Sequence, residues 1–362
     1  MRLKLFKNGR RAAIFLFFLC SWVACAQELT ISQDVMVNRG LLDNYYWKNQ
    51  PLQSTSNRVV AYTDVGVRVE WPLLSHAISY ERKTLNTLVS NSNTLALAAK
   101  DGAYSSQVAN GGVDLQAHTK RYQFDALGMK FAGAAENNSW WWFISPKWVR
   151  LLDVREGDGS GVLTKDDTTL SLHGDMQRIG MTAYGFLADP ATPRLMNGGS
   201  VDVGLAWASG AWKFNATAQH LYSKIPVQSL YFSNRDYNVN ATTAQGITYS
   251  NVPSLSGTYG QRDMSLSLPR IVKVDVSYKS RLAGTWLKTG IVSVDGRNVP
   301  WLGLMFPVEG HELELRNYEL NNTQLTYRTP SILKGHLSGE FMMIRDSSGN
   351  QKSLVGGIRL NF

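Results

Sequence analysis

Cysteine is nearly absent: among 362 residues only Cys20 and Cys25 carry a thiol. Both lie in an N-terminal stretch where Arg2, Lys4, Lys7, Arg10 and Arg11 precede an apolar run from Ala12 to Leu19 that continues weakly to Ala26. Ala24-Cys25-Ala26 before Gln27 is a small-x-small cleavage site, so residues 1–26 read as a secretory signal peptide. Residues 27–362 are then expected to contain no cysteine, which excludes disulfides and thiolate chemistry. A competing reading is lipidation at Cys25, because Trp22-Val23-Ala24-Cys25 partly matches a lipoprotein box, with Trp22 where Leu is usual.

Long apolar runs are also missing. After the leader no segment approaches the ~20 apolar residues that a transmembrane helix needs. A strong charge of one sign is lacking too. The chain has 37 Lys and Arg against 28 Asp and Glu, and without the five basic residues of the leader the balance is 32 against 28, or +4. That removes the main support for nucleic-acid binding. Helix-period segments are few, and no Walker loop, dinucleotide fingerprint or nucleophile elbow is found. His76, His118, His220, His311 and His336 are scattered without metal-ligand spacing.

What the chain does have is alternation of period two. Val65, Val67, Val69 and Trp71 oppose Asp64, Gly66, Arg68 and Glu70. Val201, Val203, Leu205 and Trp207 oppose Asp202, Gly204 and Ala206, and beyond Ser209-Gly210, Trp212, Phe214, Ala216 and Ala218 oppose Lys213, Asn215, Thr217 and Gln219. Val272, Val274, Val276 and Tyr278 oppose Lys273, Asp275, Ser277 and Lys279. Such segments predict strands with one apolar and one polar face. The final ten residues follow the same rule. Leu354, Gly356, Ile358, Leu360 and Phe362 share one face, Val355, Gly357, Arg359 and Asn361 the other.

A period-two strand ending in a C-terminal Phe resembles the closing strand of bacterial outer-membrane β-barrels, in which the terminal aromatic is the assembly signal. The resemblance implies an all-β, antiparallel, up-and-down transmembrane barrel in the outer membrane of a Gram-negative-type bacterium. Its implied partners are outer-membrane lipid and the barrel-assembly machinery. A sandwich would alternate as well, but loop lengths separate the two. Counting back from Phe362 with both termini periplasmic, the long connections Pro226 to Asp263, Asp189 to Gly199, Asp153 to Asp167, Asn86 to Lys120 and Gly40 to Asn57 all fall outside. The connections assigned to the periplasm, including Ser209-Gly210, Gly174-Asp175, Ala135 to Ser139 and Pro72 to Ser75, are short. Outer-membrane barrels have this asymmetry. The count predicts about 16 strands within a range of 14 to 18, in one barrel over residues 27–362. Trp71, Trp207, Trp212, Trp301 and Phe306 fall near predicted strand ends, where barrels carry aromatic girdles. In Trp140-Trp141-Trp142 the middle ring must oppose its neighbours.

Two segments offer chemistry. Glu156 to Asp167 resembles an EF-hand loop, with Glu156, Asp158 and Ser160 at oxygen-ligand positions, Gly161 at the sharp turn, the Val162 carbonyl and Asp167 closing. It departs from the pattern with Glu at the first position and Asp at the last, so calcium binding competes with a plain Gly/Asp-rich turn. Ser171, His173 and Asp175 share one strand face. Outer-membrane phospholipases use Ser and His at that separation in the opposite order, followed by Asn-Gly, which is missing here.

The face predicted to point inward is more informative. Arg68, Glu70, Asp202, Lys213, Lys273, Asp275, Lys279, Glu314, Arg316 and Arg359 mix both signs. Such a lining suits a water-filled passage or an interior closed by ion pairs. The segment Leu268 to Lys279, with its Leu-Pro start and Ser-Tyr strand, is similar to a late strand of long-chain fatty-acid and hydrophobic-compound transporters. The leading expectation is therefore a channel for small solutes with no covalent chemistry and no cofactor apart from the calcium alternative. The rivals are a barrel enzyme acting on lipid or surface polymer, and a non-conducting component of surface-polymer export or envelope assembly.

Overall fold

A computed structural model describes residues 28–37, 52, 58–73, 76–99, 111–135, 139–166, 169–181, 193–195, 197–242, 254–280, 284–318, 322–329, 337–346 and 351–361. The expected leader, Asp167 and Phe362 lie outside these residues. Antiparallel strands dominate, as the alternation predicts. The first five are β1 (Glu28–Val37), β2 (Arg58–Leu73), β3 (His76–Asn91), β4 (Gly111–Ala134) and β5 (Trp140–Asp166). Then come β6 (Thr169–Gly180), β7 (Arg194–Leu195), β8 (Asn197–Ser209), β9 (Trp212–Thr242), β10 (Ser254–Leu266) and β11 (Ile271–Lys279). The last six are β12 (Trp286–Val294), β13 (Arg297–Val308), β14 (His311–Tyr318), β15 (Asn322–Arg328), β16 (Leu337–Asp346) and β17 (Gln351–Asn361).

All 17 strands belong to one sheet. From β1 to β5 each strand pairs with the next. At β5 the partner changes along its length: Trp140 to Arg150 pair with β8, but Arg155 to Asp166 pair with β6. The long β9 divides in the same way. Its first part faces β8 and β11, and its far part faces β6 and β10. From β11 to β17 chain order resumes. Finally β1 pairs with β2 over Glu28 to Val37 and with β17 over Glu28 to Ile31.

The turns explain this register. Asp295-Gly296 links β12 to β13 and Glu309-Gly310 links β13 to β14, with φ of 49° and 79°, and of 49° and 83°. Two consecutive residues with positive φ make the turn whose twist matches antiparallel strands. One helix stands between β3 and β4, α1 (Ser92–Ala99). Asn91 caps it, accepting the Thr94 N–H through Oδ1 at 2.9 Å. Thr94 Oγ1 in turn accepts the Gln116 N–H at 2.8 Å and docks the helix on β4.

The sequence reading differs from the structure where polar, glycine-rich stretches were expected to be loops. Asp153 to Asp166 continues β5, and Gly174-Asp175, expected as a periplasmic turn, lies in the middle of β6. Within the expected Asn86 to Lys120 loop, β3 runs to Asn91 and β4 begins at Gly111. Within Pro226 to Asp263, β9 continues to Thr242 and β10 begins at Ser254. Each is a strand because it has a ladder partner on at least one side, which composition does not reveal.

Candidate functional site

The first part of β5, Trp140 to Trp148, reverses the usual rule of inside and outside. Trp140, Trp142, Ile144 and Trp148 are exposed, while Ser145 and Lys147 between them are buried. On β3, Ile78 is exposed and Ser79 and Glu81 are buried; on β14, Leu315 is exposed and Glu314 is fully buried. In these stretches the polar residues point inward and the apolar ones outward. The outward face carries a groove of about 690 Å³ lined by Trp212, Tyr278, Leu287, Leu302 and Leu315.

Two layers fill the inward side. The first is ionic. Lys147 Nζ lies 2.8 Å from Glu81 Oε2 and 2.6 Å from Asp202 Oδ2. Lys83 joins Asp64 at 2.9 Å and Glu81 at 3.9 Å. Arg68 bridges Glu70 at 2.6 Å and Glu81 at 3.5 Å, and Lys130 reaches Glu70 at 3.6 Å. Asp64, Glu70, Glu81 and Asp202 therefore balance Arg68, Lys83, Lys130 and Lys147. Opposite charges this close are what make burial of any one of them tolerable.

A bulge in β9 brings His220 to this layer. The β8–β9 register shifts between Val201 and Val203, and His220 takes a φ of 52°. A bulge re-aims a side chain, and here the imidazole Nδ1 meets Ser200 Oγ at 2.9 Å while the His220 N–H donates to Asp202 Oδ1 at 2.9 Å. Its ring packs edge-on to Phe124, 5.6 Å between centroids, which joins the ionic layer to the apolar one above.

The apolar layer comes from opposite parts of the sheet. Leu85, Tyr122, Phe124, Leu151, Ile225, Leu230 and Ile271 are its largest fully buried members, with Val292, Val294, Val299, Trp301 and Tyr318 in the same cluster. Lys120 Nζ reaches Asp295 Oδ2 at 2.9 Å, tying β4 to the β12–β13 turn. Trp301, expected in an outer girdle, is instead buried here and stacks under the Arg316 guanidinium at 4.6 Å. It pairs in register with Gly290, whose missing side chain admits the indole. Trp212 and Phe306 are exposed on the outward face as expected.

The residues predicted to line a passage divide accordingly. Arg68, Glu70 and Asp202 belong to the ionic layer. Glu314 and Arg316 form a second cluster, in which Glu314 accepts from Lys288 at 2.9 Å, Arg316 at 2.7 Å and Arg328 at 3.1 Å. Lys213 and Lys279 flank the Trp286 ring at 4.3 and 6.0 Å, Lys273 lies 5.5 Å from the Tyr62 ring, and Asp275 accepts from Asn215 at 3.3 Å. Arg359 lies on β17 opposite Thr30 and Ser338; its side chain is not among those described. Glu81, Lys83, Lys147 and His220 were missed by sequence reading, although the β3 alternation of Ser79, Glu81 and Lys83 against Ile78 and Tyr80 was a usable signal.

The calcium candidate does not form a loop. Glu156, Asp158 and Ser160 are extended on β5, paired with β4 and β6. At about 3.3 Å per residue, an extended chain separates the first and last of them by roughly 13 Å. Each has its own partner: Tyr122 donates to Glu156, His118 Nδ1 lies 3.6 Å from Asp158, and Ser160 Oγ donates to Asp175 at 3.1 Å. Among the described residues no group of three or more His, Cys, Asp or Glu could hold a metal ion. The enzyme candidate fares similarly. Asp175 is engaged by Ser160, and among the described residues no bond joins Ser171 to His173. Ser160, His173 and Asp175 instead line a chamber of about 1020 Å³ together with Asp114 and Asp236.

No protein-family model matches this chain, and no curated protein matches it. Among solved structures, CdiB from Acinetobacter baumannii is similar over 92% of this chain at 7% identity and a TM-score of 0.20. This chain spans 59% of that structure's length. A TM-score so low does not establish a common fold.

Proposed function

We propose that this chain is a non-conducting outer-membrane β-barrel, a component of envelope assembly or surface-polymer export whose long outer strands present a docking surface. The observation that carries this reading is the inversion of polarity: Trp148 is 50% and Leu302 56% exposed, whereas Glu314 is 0% and Glu81 1% exposed. Water would favour the opposite arrangement; acyl chains around the sheet favour this one. The pairings fit a closed ring of β1 to β5, β8, β9 and β11 to β17, since removing β6, β7 and β10 from the 17 strands leaves 14. Even strand numbers are the rule in such barrels. The three omitted strands pair only with the far parts of β5 and β9 and would stand above the membrane.

A packed interior favours the non-conducting alternative over a solute channel. Valine, leucine and isoleucine with Tyr122, Phe124 and Trp301 form one buried cluster beside the paired charges, and side chains so packed leave few voids larger than a water molecule. The reconstituted protein is therefore expected to give no stable ohmic steps in a planar bilayer at any applied voltage. Reproducible single-channel steps would restore the channel reading.

A further inference from the structure

We propose that the outward face of β4, β5, β6 and β9, around Arg121 and Arg155, binds the phosphorylated headgroup of a lipid in the surrounding leaflet; this rests on the membrane-barrel reading. Four arginines lie on these laterally consecutive strands. Arg121 stands directly opposite Arg155 in the β4–β5 register. Arg178 is opposite Gly157 on one side and Ser233 on the other, and Arg235, two residues beyond Ser233, is opposite Met176. Arg121, Arg155 and Arg178 are all exposed.

Directly opposed like charges destabilise a sheet, so the Arg121–Arg155 pair needs an account. Asp153 offers partial compensation, 3.5 Å from Arg155 Nε. Arg178 Nε turns to Met176 Sδ at 3.0 Å and Arg235 Nε to Ser233 Oγ at 3.0 Å, which leaves both cations without a carboxylate in those bonds. Gly157 keeps the centre of the group open. A Cβ there would meet only Thr119 Oγ1, at 3.0 Å. The result is a groove of about 450 Å³ lined by Asn86, Thr119, Arg121, Arg155 and Arg178. Guanidinium groups bind phosphate through paired, charge-assisted hydrogen bonds, and a phosphate seated between Arg121 and Arg155 turns their repulsion into shared attraction.

The position identifies the source of the phosphate. Outward residues follow a fixed order along β4 and β5. Leu127 and Trp148 are exposed and apolar, and next comes Asp125, which accepts from Arg82 at 2.6 and 2.8 Å and stands opposite Arg150. Exposed Leu152 follows Arg150 on β5, and Arg121 and Arg155 come last. From Leu127 to Arg121 is about 20 Å along a strand, or about 15 Å in height at the usual barrel tilt. From Leu152 to Arg155 is only about 10 Å along the strand, so a lipid phosphate just above the acyl chains comes within reach of the arginines. Continuity of one outward face from acyl-chain level to the arginines favours a lipid over a soluble acidic protein.

The test uses the full chain refolded into nanodiscs, with a bis-phosphorylated disaccharide lipid as probe. Its dephosphorylated form, inorganic phosphate and a poly-glutamate peptide serve as comparisons. The wild type is expected to bind the phosphorylated lipid at least about tenfold more tightly than each comparison, and the Arg121→Gln/Arg155→Gln variant to lose at least about tenfold. Gly157→Val, which fills the groove without altering charge, is expected to lose a similar amount. Melting adds a check on sign: without lipid Arg155→Gln melts above the wild type, and with the phosphorylated lipid below it. Equal binding of phosphorylated and dephosphorylated lipid, of peptide and lipid, or of wild type and double variant would overturn the inference. Liposome flotation separates the two readings. A chain that fails to float overturns the membrane assignment, whereas one that floats with indifferent lipid binding overturns only the headgroup site.

Discussion

Phe124→Ala is expected to destabilise the reconstituted barrel by about 3–5 kcal/mol, and Leu127→Ala, three residues away on the same strand, by about 2 kcal/mol or less. Phe124 is 0% exposed, belongs to the apolar layer with Leu85, Leu151 and Ile225, and packs edge-on to His220. Truncating it removes the transfer term and leaves a cavity that strands held in a ring relax around only partly. Leu127 is 49% exposed on the outward face. There the transfer term is lost alone, because mobile acyl chains close over the shortened side chain. Equilibrium unfolding in denaturant, with both variants in the same lipid, measures the two costs. Equal costs would mean that Phe124 faces water or lipid, and the packed interior would be wrong.

The second large effect belongs to the ionic layer. Glu81→Leu is expected to cost about 3–5 kcal/mol, the usual consequence of removing one member of a buried charge cluster. Glu81 holds Lys147, Lys83 and Arg68 together. Without it the layer has one cation in excess, shielded from water by the tryptophan-bearing outer face of β5. Lys147→Met restores the balance of sign. The double variant Glu81→Leu/Lys147→Met should therefore cost less than the sum of the two single changes, by an interaction energy of about 0.5–3 kcal/mol. Additive single costs would show the two groups to be independent and solvated, as in a water-filled passage.

How far the fold was legible depends on which residues are considered. The strands around Val65 to Trp71, Val201 to Trp212 and Val272 to Tyr278 followed directly from alternation, because a half-polar ribbon has only one way to present two faces. The sense of those faces did not follow from alternation, since a sandwich shows the same period; exposed Trp148 beside buried Lys147 supports the membrane sense proposed above. Glycine and aspartate misled the strand count. Gly157, Gly159 and Gly161 read as a turn, yet β5 runs through them because β4 and β6 supply ladders on both sides. Where a strand is held by ladders on both sides its side chains need not alternate, and the sequence signal for a strand fades although the strand continues. Trp301 was misplaced for a related reason: nearness to a strand end suggests a girdle, but its partner Gly290 opens space on the inner side. His220 was out of reach of spacing rules, as only the bulge and its positive φ turn it toward Asp202.

The central claim is that the outward tryptophans are solvated by acyl chains. Fluorescence quenching by lipids brominated at mid-chain tests it directly, since Trp140, Trp142, Trp148 and Trp212 are exposed on that face and Trp301 is buried within. The prediction is strong quenching in brominated bilayers, with most of it lost when those four tryptophans are changed to phenylalanine. Unquenched emission from a chain that stays monomeric in buffer without detergent would contradict the claim.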